Sequence, residues 1–172
     1  MNSLKALLAK PFAHLIQKKV SKWANKPVKT QEKVFKKLIK EAAQTAFGKD
    51  HDFQNIHTHD DFVKRVPIRD YEGLRSYVDR VVAGEKDILW KGKPLYFAKT
   101  SGTTSGAKYI PLTKESMPTH IEAARNAILL YIAETGNTDF VDGKMIFLQG
   151  SPVLNEKNGV KLGRLSGIVA HY

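Results

Sequence analysis

The apolar pattern of this chain changes its period at Gly84. Before that residue, apolar side chains recur at spacings of three and four, the period of helices with one buried side. After it, they come as short runs bounded by glycine and proline, as in strands. A chain patterned this way builds helices first and then alternates strand with helix. The fold class expected is α/β, with N-terminal helices followed by a sheet layer.

The helical part reads in four segments. Leu4, Leu7, Leu8, Leu15, Ile16, Val20 and Trp23 form one stripe, with an interruption expected near Pro11. Thr30 can cap a second helix with Val34, Phe35, Leu38, Ile39, Ala42, Ala43 and Ala46 inward, and Gly48 stands where it would stop. After a polar loop, Thr58 and Asp61 have capping-box spacing for a short helix, Asp60 to Arg65, which Pro67 ends. Asp70 can cap the next, with Leu74, Tyr77, Val78, Val81 and Val82 as core and Gly84 as its close.

The second part predicts strands at Ile88–Trp90, Leu95–Ala98, Tyr109–Leu112 and Met145–Leu148. A helix from Thr113 or Ser116 to about Thr135 lies among them, with Ile121, Ala124, Ile128, Leu129 and Ile132 inward and Gly136 after it. From Gln149 onward Gly, Ser, Pro and Asn are frequent. Val160, Leu162, Leu165, Ile168 and Val169 then begin a new apolar pattern that reaches no stop signal. So few strands make a thin sheet with open edges, so the chain is expected to be a fragment of a larger enzyme.

Charge narrows the classes of partner. The net charge is +11, and residues 1–40 hold eleven lysines against one acid, Glu32, with no arginine. A nucleic-acid reader usually arrays arginine on one surface, so no nucleic-acid partner is expected. These lysines read as the solvated faces of two helices, with residues 1–29 a basic amphipathic lead-in. The rival is weak contact of residues 1–40 with an anionic membrane. There is no cysteine, which excludes disulfides, thiolate zinc sites and a cysteine nucleophile and fits a reducing compartment. No apolar run approaches the roughly 20 residues of a membrane span. Lys10 and Pro11 cut the one early apolar stretch, so no signal peptide is expected. The compartment these point to is the cytoplasm.

Chemistry concentrates in Thr100 to Pro111, TSGTTSGAKYIP. Glycine lets backbone N–H groups converge on an anion, hydroxyls add donors, and a lysine adds mobile positive charge. The stretch is not a Walker A loop. Gly102 and Gly106 stand three residues apart, and Tyr109 follows Lys108 where that motif has Ser or Thr. Nor is it a Gly-x-Gly-x-x-Gly fingerprint. By composition alone, a polar hairpin turn and a phosphate cradle are equally open.

The order of residues goes further. Ser101-Gly102-Thr103-Thr104, then Gly106 and Lys108 after an apolar run, resembles the phosphate loop of adenylate-forming enzymes such as firefly luciferase, acyl-CoA ligases and peptide-synthetase adenylation domains. Within that superfamily the chain resembles the auxin-responsive acyl acid amido synthetases, known from plant enzymes that join auxin and jasmonate to amino acids. The resemblance is carried by Ala46-Phe47-Gly48-Lys49-Asp50-His51, by Phe62-Val63-Lys64-Arg65-Val66-Pro67-Ile68, and by Asp70-Tyr71-Glu72 with Gly84. Leu89-Trp90-Lys91-Gly92-Lys93-Pro94 and Lys108-Tyr109-Ile110-Pro111 complete it, and it covers roughly residues 30–172. The plant pattern has one more residue between the second glycine and the lysine, a departure that points to a bacterial-type branch.

What the resemblance implies is the N-terminal portion of a large ATP- and acyl-binding domain, residues 1–172, in which a mixed β-sheet layer is only begun. The implied reaction has two steps. ATP and a carboxylic acid give an acyl-adenylate and pyrophosphate, and an amine, typically of an amino acid, then attacks the activated carbonyl. The implied cofactors are ATP and Mg²⁺. Thr100, Ser101, Gly102, Thr103, Thr104, Ser105 and Gly106 would hold the ATP phosphates, and Lys108 would assist catalysis. Arg125, on the helix after the loop, would grip the acid. The family's adenine- and ribose-contacting segments lie beyond Tyr172, so this chain alone is expected not to complete adenylation.

Other readings remain open. An acyl-CoA ligase of the phenylacetate type shares the loop chemistry. A basic membrane- or nucleic-acid-binding module led by residues 1–40 belongs to another class. His51, His57 and His59 stand beside Asp50, Asp52, Asp60 and Asp61, a composition that can bind zinc, but they lie in a loop and at a helix start, where acids are favoured anyway. His120 reads as a packed or solvated helical residue, and His171 supports no role. No Gly-x-Ser-x-Gly elbow is present, which argues against a hydrolase. The tryptophans and tyrosines sit at core spacings and read as packing.

Overall fold

The computed structural model describes residues 4–100, 107–144 and 146–172. The chain divides into two compact units, residues 1–32 with 118–148 and residues 33–117 with 149–172.

In the first unit, helix α1 (Leu4–Ala24) packs on helix α6 (Met117–Thr135), all of which but Met117 lies in this unit, and on a 3₁₀ turn, Asp139–Val141. Ala13, Ile16, Leu129 and Ile132 form the core, with Ala9, Val20, Phe140 and Val141 around it. Helix α1 differs from expectation in two ways. Helix α1 runs through Pro11 unbroken. Pro11 is exposed, so the carbonyl it leaves without a partner need not be desolvated. The buried face is also different. Ala6, Ala13 and Ile16 are buried, whereas Leu4 (70%), Leu8 (58%), Leu15 (64%) and Trp23 (52%) are exposed. Alanine permits close helix approach, and a helix that is apolar on several sides offers more than one stripe. Gly136 ends α6 as expected, at φ +68°, which favours glycine.

Helix α2 (Pro27–Ala42) crosses from one unit to the other. It starts on Pro27 at its first position, where a missing N–H costs nothing. Thr30 is therefore inside the helix rather than its cap, and its hydroxyl donates to the Trp23 carbonyl (3.2 Å). The helix also stops earlier than expected. Thr45 caps a separate short helix, α3 (Ala46–Asp50), accepting the Gly48 N–H through Oγ1 at 3.0 Å.

In the second unit a 3₁₀ turn (Phe53–Asn55) leads to α4 (His59–Arg65). Its expected capping box is present: Thr58 accepts from the Asp61 N–H, and Asp61 accepts from the Thr58 N–H. Asp70 caps α5 (Tyr71–Val82) by accepting the Gly73 N–H at 2.8 Å, also as expected. Ile39, Ala42, Phe53 and Ile56 form the core of the helical part, with Phe35, Phe47, Phe62 and Trp90 packed against it.

Among the described residues, four strands make one mixed sheet in the order β2-β1-β4-β3: β1 Tyr96–Lys99, β2 Tyr109–Leu112, β3 Asn155–Lys157 and β4 Val160–Gly163. β1 pairs antiparallel with β2 and parallel with β4, and β3 pairs antiparallel with β4. One face, with Phe97 and Val160, packs on Val78, Val81 and Val82 of α5. The other, with Tyr96, Ala98 and Leu112, packs on Met117 and on Ile168 of α7 (Leu165–His171).

Two predicted strands are not formed among the described residues. Ile88–Trp90 is a bend, because the Asp87 and Ile88 carbonyls accept the Ala46 and Phe47 N–H groups (2.8 and 3.0 Å) and are used up at the start of α3. Ile146–Leu148 has no regular structure and is 90%, 67% and 100% exposed, while Met145 is outside the described residues. The β3–β4 hairpin was not expected. It turns on Asn158-Gly159, both at positive φ (50° and 78°), the conformation of a type I′ turn.

Candidate functional site at the β1–β2 connection

Strands β1 and β2 hold the two ends of the candidate loop together. Lys99 pairs with Tyr109 as the last rung of the ladder. Beyond it, the Thr100 N–H donates to the Lys108 carbonyl (3.1 Å) and the Lys108 N–H reaches Thr100 Oγ1 (3.4 Å). Thr100 and Lys108 therefore face each other across a closed base. Ser101, Gly102, Thr103, Thr104, Ser105 and Gly106 lie outside the described residues. The connection from 100 to 108 has nine residues, whereas a hairpin needs only about two to five. The stretch is a hairpin connection, and it is longer than turning the chain requires.

Lys108 is half-buried, and its ammonium lies over the ring of Tyr71, 5.0 Å from the centroid. Among the described residues no carboxylate stands within ion-pair distance of it. The Tyr71 oxygen accepts the Tyr109 N–H at 3.0 Å. Tyr109 in turn carries the Lys157 ammonium 4.6 Å from its ring centroid, and Lys157 donates to the Tyr109 hydroxyl at 3.4 Å. Spacing in the sequence marks these tyrosines as packing residues, and both do pack against the core. Their polar ends and ring faces are in use at the loop base, and no local signal could reveal a contact between positions 71 and 109.

Arg125 lies in the first unit, on α6, with its side chain 42% exposed. Its guanidinium donates to Asn126 Oδ1 (two contacts of 3.4 Å) and stands 3.7 Å from Glu122 Oε1. The nearby carboxylate offsets part of its charge.

The remaining polar clusters are held by hydrogen bonds and ion pairs within the chain. His51 is buried, with Nδ1 2.8 Å from the Phe47 carbonyl and its ring stacked on Phe47. Among the described residues no group of His, Asp and Glu is arranged to hold a metal ion. Hydrogen bonds from the Thr58 side chain and from the His57 and Thr58 N–H groups hold the Asp61 carboxyl below the ordinary value. Burial, and then the hydrogen bond to Asp50, push the Tyr77 phenol up. Lys91 bonds to Glu41 and lies 4.0 Å from Glu115, which also accepts from the Trp90 indole (3.3 Å). These contacts tie α2 and the 87–92 bend to the segment just before α6. No helix among the described residues is long and apolar enough to cross a membrane.

A family described as the GH3 family N-terminal domain matches residues 16–171. Among curated proteins, the chain is similar to indole-3-acetic acid-amido synthetase GH3.15 of Arabidopsis thaliana, 36% identical over 109 residues, which are 59% of this chain and 17% of that protein. It is also similar to jasmonoyl–L-amino acid synthetase JAR4 of Nicotiana attenuata, 25% identical over 138 residues, 78% of this chain and 23% of that protein. Among solved structures, GH3.15 acyl acid amido synthetase superposes with a TM-score of 0.72 at 26% identity, over 82% of this chain and 26% of the other. The same enzyme in complex with 2,4-DB gives a TM-score of 0.66 at 27% identity, over 77% and 23%. The chain thus spans about a fifth of the length of the curated relatives it matches.

Proposed function

The chain belongs to the GH3 family, and from that membership we propose that residues 1–172 are the N-terminal portion of the large domain of an acyl acid amido synthetase. The full-length protein would couple ATP and a small carboxylic acid into an acyl-adenylate and pyrophosphate, and then transfer the acyl group to an amine, typically of an amino acid. The relatives are named for amide synthesis on indole-3-acetic acid and jasmonate, which supports the reaction class.

The observation that carries this reading is the closed base of the 100–108 connection, with an ammonium beside it that no carboxylate neutralises among the described residues. Hydroxyl, N–H and ammonium donors are the chemistry that a polyphosphate accepts, so the residue set fits ATP. Thr100, Ser101, Gly102, Thr103, Thr104, Ser105 and Gly106 would hold the phosphates, and Lys108 would neutralise charge gathering on the departing pyrophosphate. Mg²⁺ would supply further charge neutralisation through the phosphate oxygens. Arg125 would grip the acid's carboxylate in bidentate fashion once its guanidinium leaves Glu122.

ATP–pyrophosphate exchange in the full-length protein tests this. Lys108→Ala is expected to slow exchange by about 10²-fold, the effect of losing one well-placed donor to developing negative charge. The 172-residue chain alone is expected to show no exchange above that variant. An unchanged rate for Lys108→Ala would overturn the assignment of Lys108, and AMP release driven by CoA rather than by amino acids would overturn the amide product.

A further inference from the structure

We propose that Tyr71 is a positioning residue for Lys108, restraining its ammonium ready for phosphate without a carboxylate partner among the described residues. The proposal rests on the reading of Lys108 as a phosphate-facing cation. One side chain makes two contacts with successive residues of the loop base. The Tyr71 ring lies under the Lys108 ammonium (5.0 Å), and the Tyr71 oxygen accepts the N–H of Tyr109 (3.0 Å). Ammonium and backbone are thus referred to a single point on α5.

That point is firm. Tyr71 is the first residue of α5, whose N-terminus Asp70 caps, and the helix packs on the sheet through Val78, Val81 and Val82. Tyr71 itself packs against this cluster. The choice of an aromatic support matters chemically. A carboxylate would also restrain a lysine, but it would cancel the charge and have to be displaced by the substrate. A ring face restrains the same ammonium and leaves its full charge available. A lysine loses rotamer freedom when fixed, so restraint before binding lowers what the phosphate must supply. Tyr77, farther along the same helix, shows the contrast: its hydroxyl donates to Asp50 (2.7 Å).

The test is calorimetric binding of Mg-ATP and, separately, of the acid to full-length Tyr71→Leu and Tyr71→Phe, each with and without Lys108→Met. Tyr71→Leu is expected to weaken Mg-ATP binding about tenfold and Tyr71→Phe about threefold, since phenylalanine keeps the ring and loses the acceptor. Acid affinity stays within about twofold, and the Tyr71 effects vanish in the Lys108→Met background because the two residues act as one unit. Equal Tyr71 effects with and without Lys108, or acid affinity falling in step with ATP, would overturn the proposal. Should Tyr71→Leu fail to fold, the Tyr71→Phe cycle decides alone. Lys108→Met that leaves Mg-ATP affinity unchanged removes the reading of Lys108 itself. Weakened Lys108→Met beside silent Tyr71 variants removes only this inference.

Discussion

Gly48→Ala should be among the most damaging single-methyl additions the chain can receive. A Cβ at position 48 would stand 2.1 Å from the Ala42 carbonyl oxygen, 3.0 Å from its carbon and 3.1 Å from the Ala43 Cα. All three are backbone atoms, so no side chain can rotate away. The Ala42 oxygen is also fixed, because it accepts both the Thr45 N–H (3.0 Å) and the Thr45 hydroxyl (2.7 Å). Thr45 is 1% exposed and caps α3 through the Gly48 N–H itself. Relief of the clash must move the end of α2 against the start of α3. The overpacking costs about 1–3 kcal/mol, and loss of the cap adds about 1 kcal/mol. A loss near 3 kcal/mol would lower the thermal midpoint by about 6–12 °C for a chain of this size. Gly143→Ala is the control, since its Cβ meets only the Phe140 oxygen at 3.6 Å, and it should stay within about 0.5 kcal/mol. Urea unfolding of both variants measures the difference. A Gly48→Ala loss no larger than that of the control would show that the α2–α3 junction is not as close as described.

Two further outcomes follow from the second unit. Asn158→Ala should destabilise by about 2 kcal/mol in urea unfolding, because it loses the bond from Asn158 Nδ2 to the Val82 carbonyl (2.6 Å) and places alanine at φ 50°; Asn158→Gly should recover the backbone part alone. The Asp61 carboxyl titrates below its ordinary value of 3.8 in the folded chain, so its contribution is complete above that value and is lost as pH falls through the lower folded one. Acid titration of stability should therefore be shallower in Asp61→Asn across that window, and identical curves would deny the capping box any role in it.

The features read correctly from sequence are those decided within one turn of chain. Thr58 with Asp61, and Asp70 with Gly73, cap helices through bonds spanning three residues, so their spacing alone reveals them. Tyr96–Lys99 and Tyr109–Leu112 bracket the candidate loop nearly as expected. Misreadings arise where a distant group claims the backbone. Ile88 carries a strand-like side chain, but its carbonyl serves the N-terminus of α3, 41 positions earlier at Phe47. The Asn158-Gly159 turn escapes the sequence reading because the run before it, Asn155–Lys157, is too polar to read as a strand. At the site, the sequence order of Thr100–Lys108 is what suggests a phosphate loop, whereas the Tyr71 contacts depend on packing between α5 and β2 that no spacing encodes.

The parallel pairing of β1 with β4 has a consequence for how the protein is made. Tyr96 meets Lys161, sixty-five positions later, and β1 lies in the sheet's interior. During synthesis the strand that carries the candidate loop leaves the ribosome with one side unpaired. At about 5–20 residues per second, its second neighbour emerges several seconds later. Over that interval an apolar edge, Tyr96-Phe97-Ala98, is open to pairing with another nascent chain. The antiparallel β1–β2 hairpin, local and quick to close, is the protection available until the β3–β4 hairpin arrives. Slower translation of residues 113–160 should therefore cost soluble yield before it costs any activity of the folded protein.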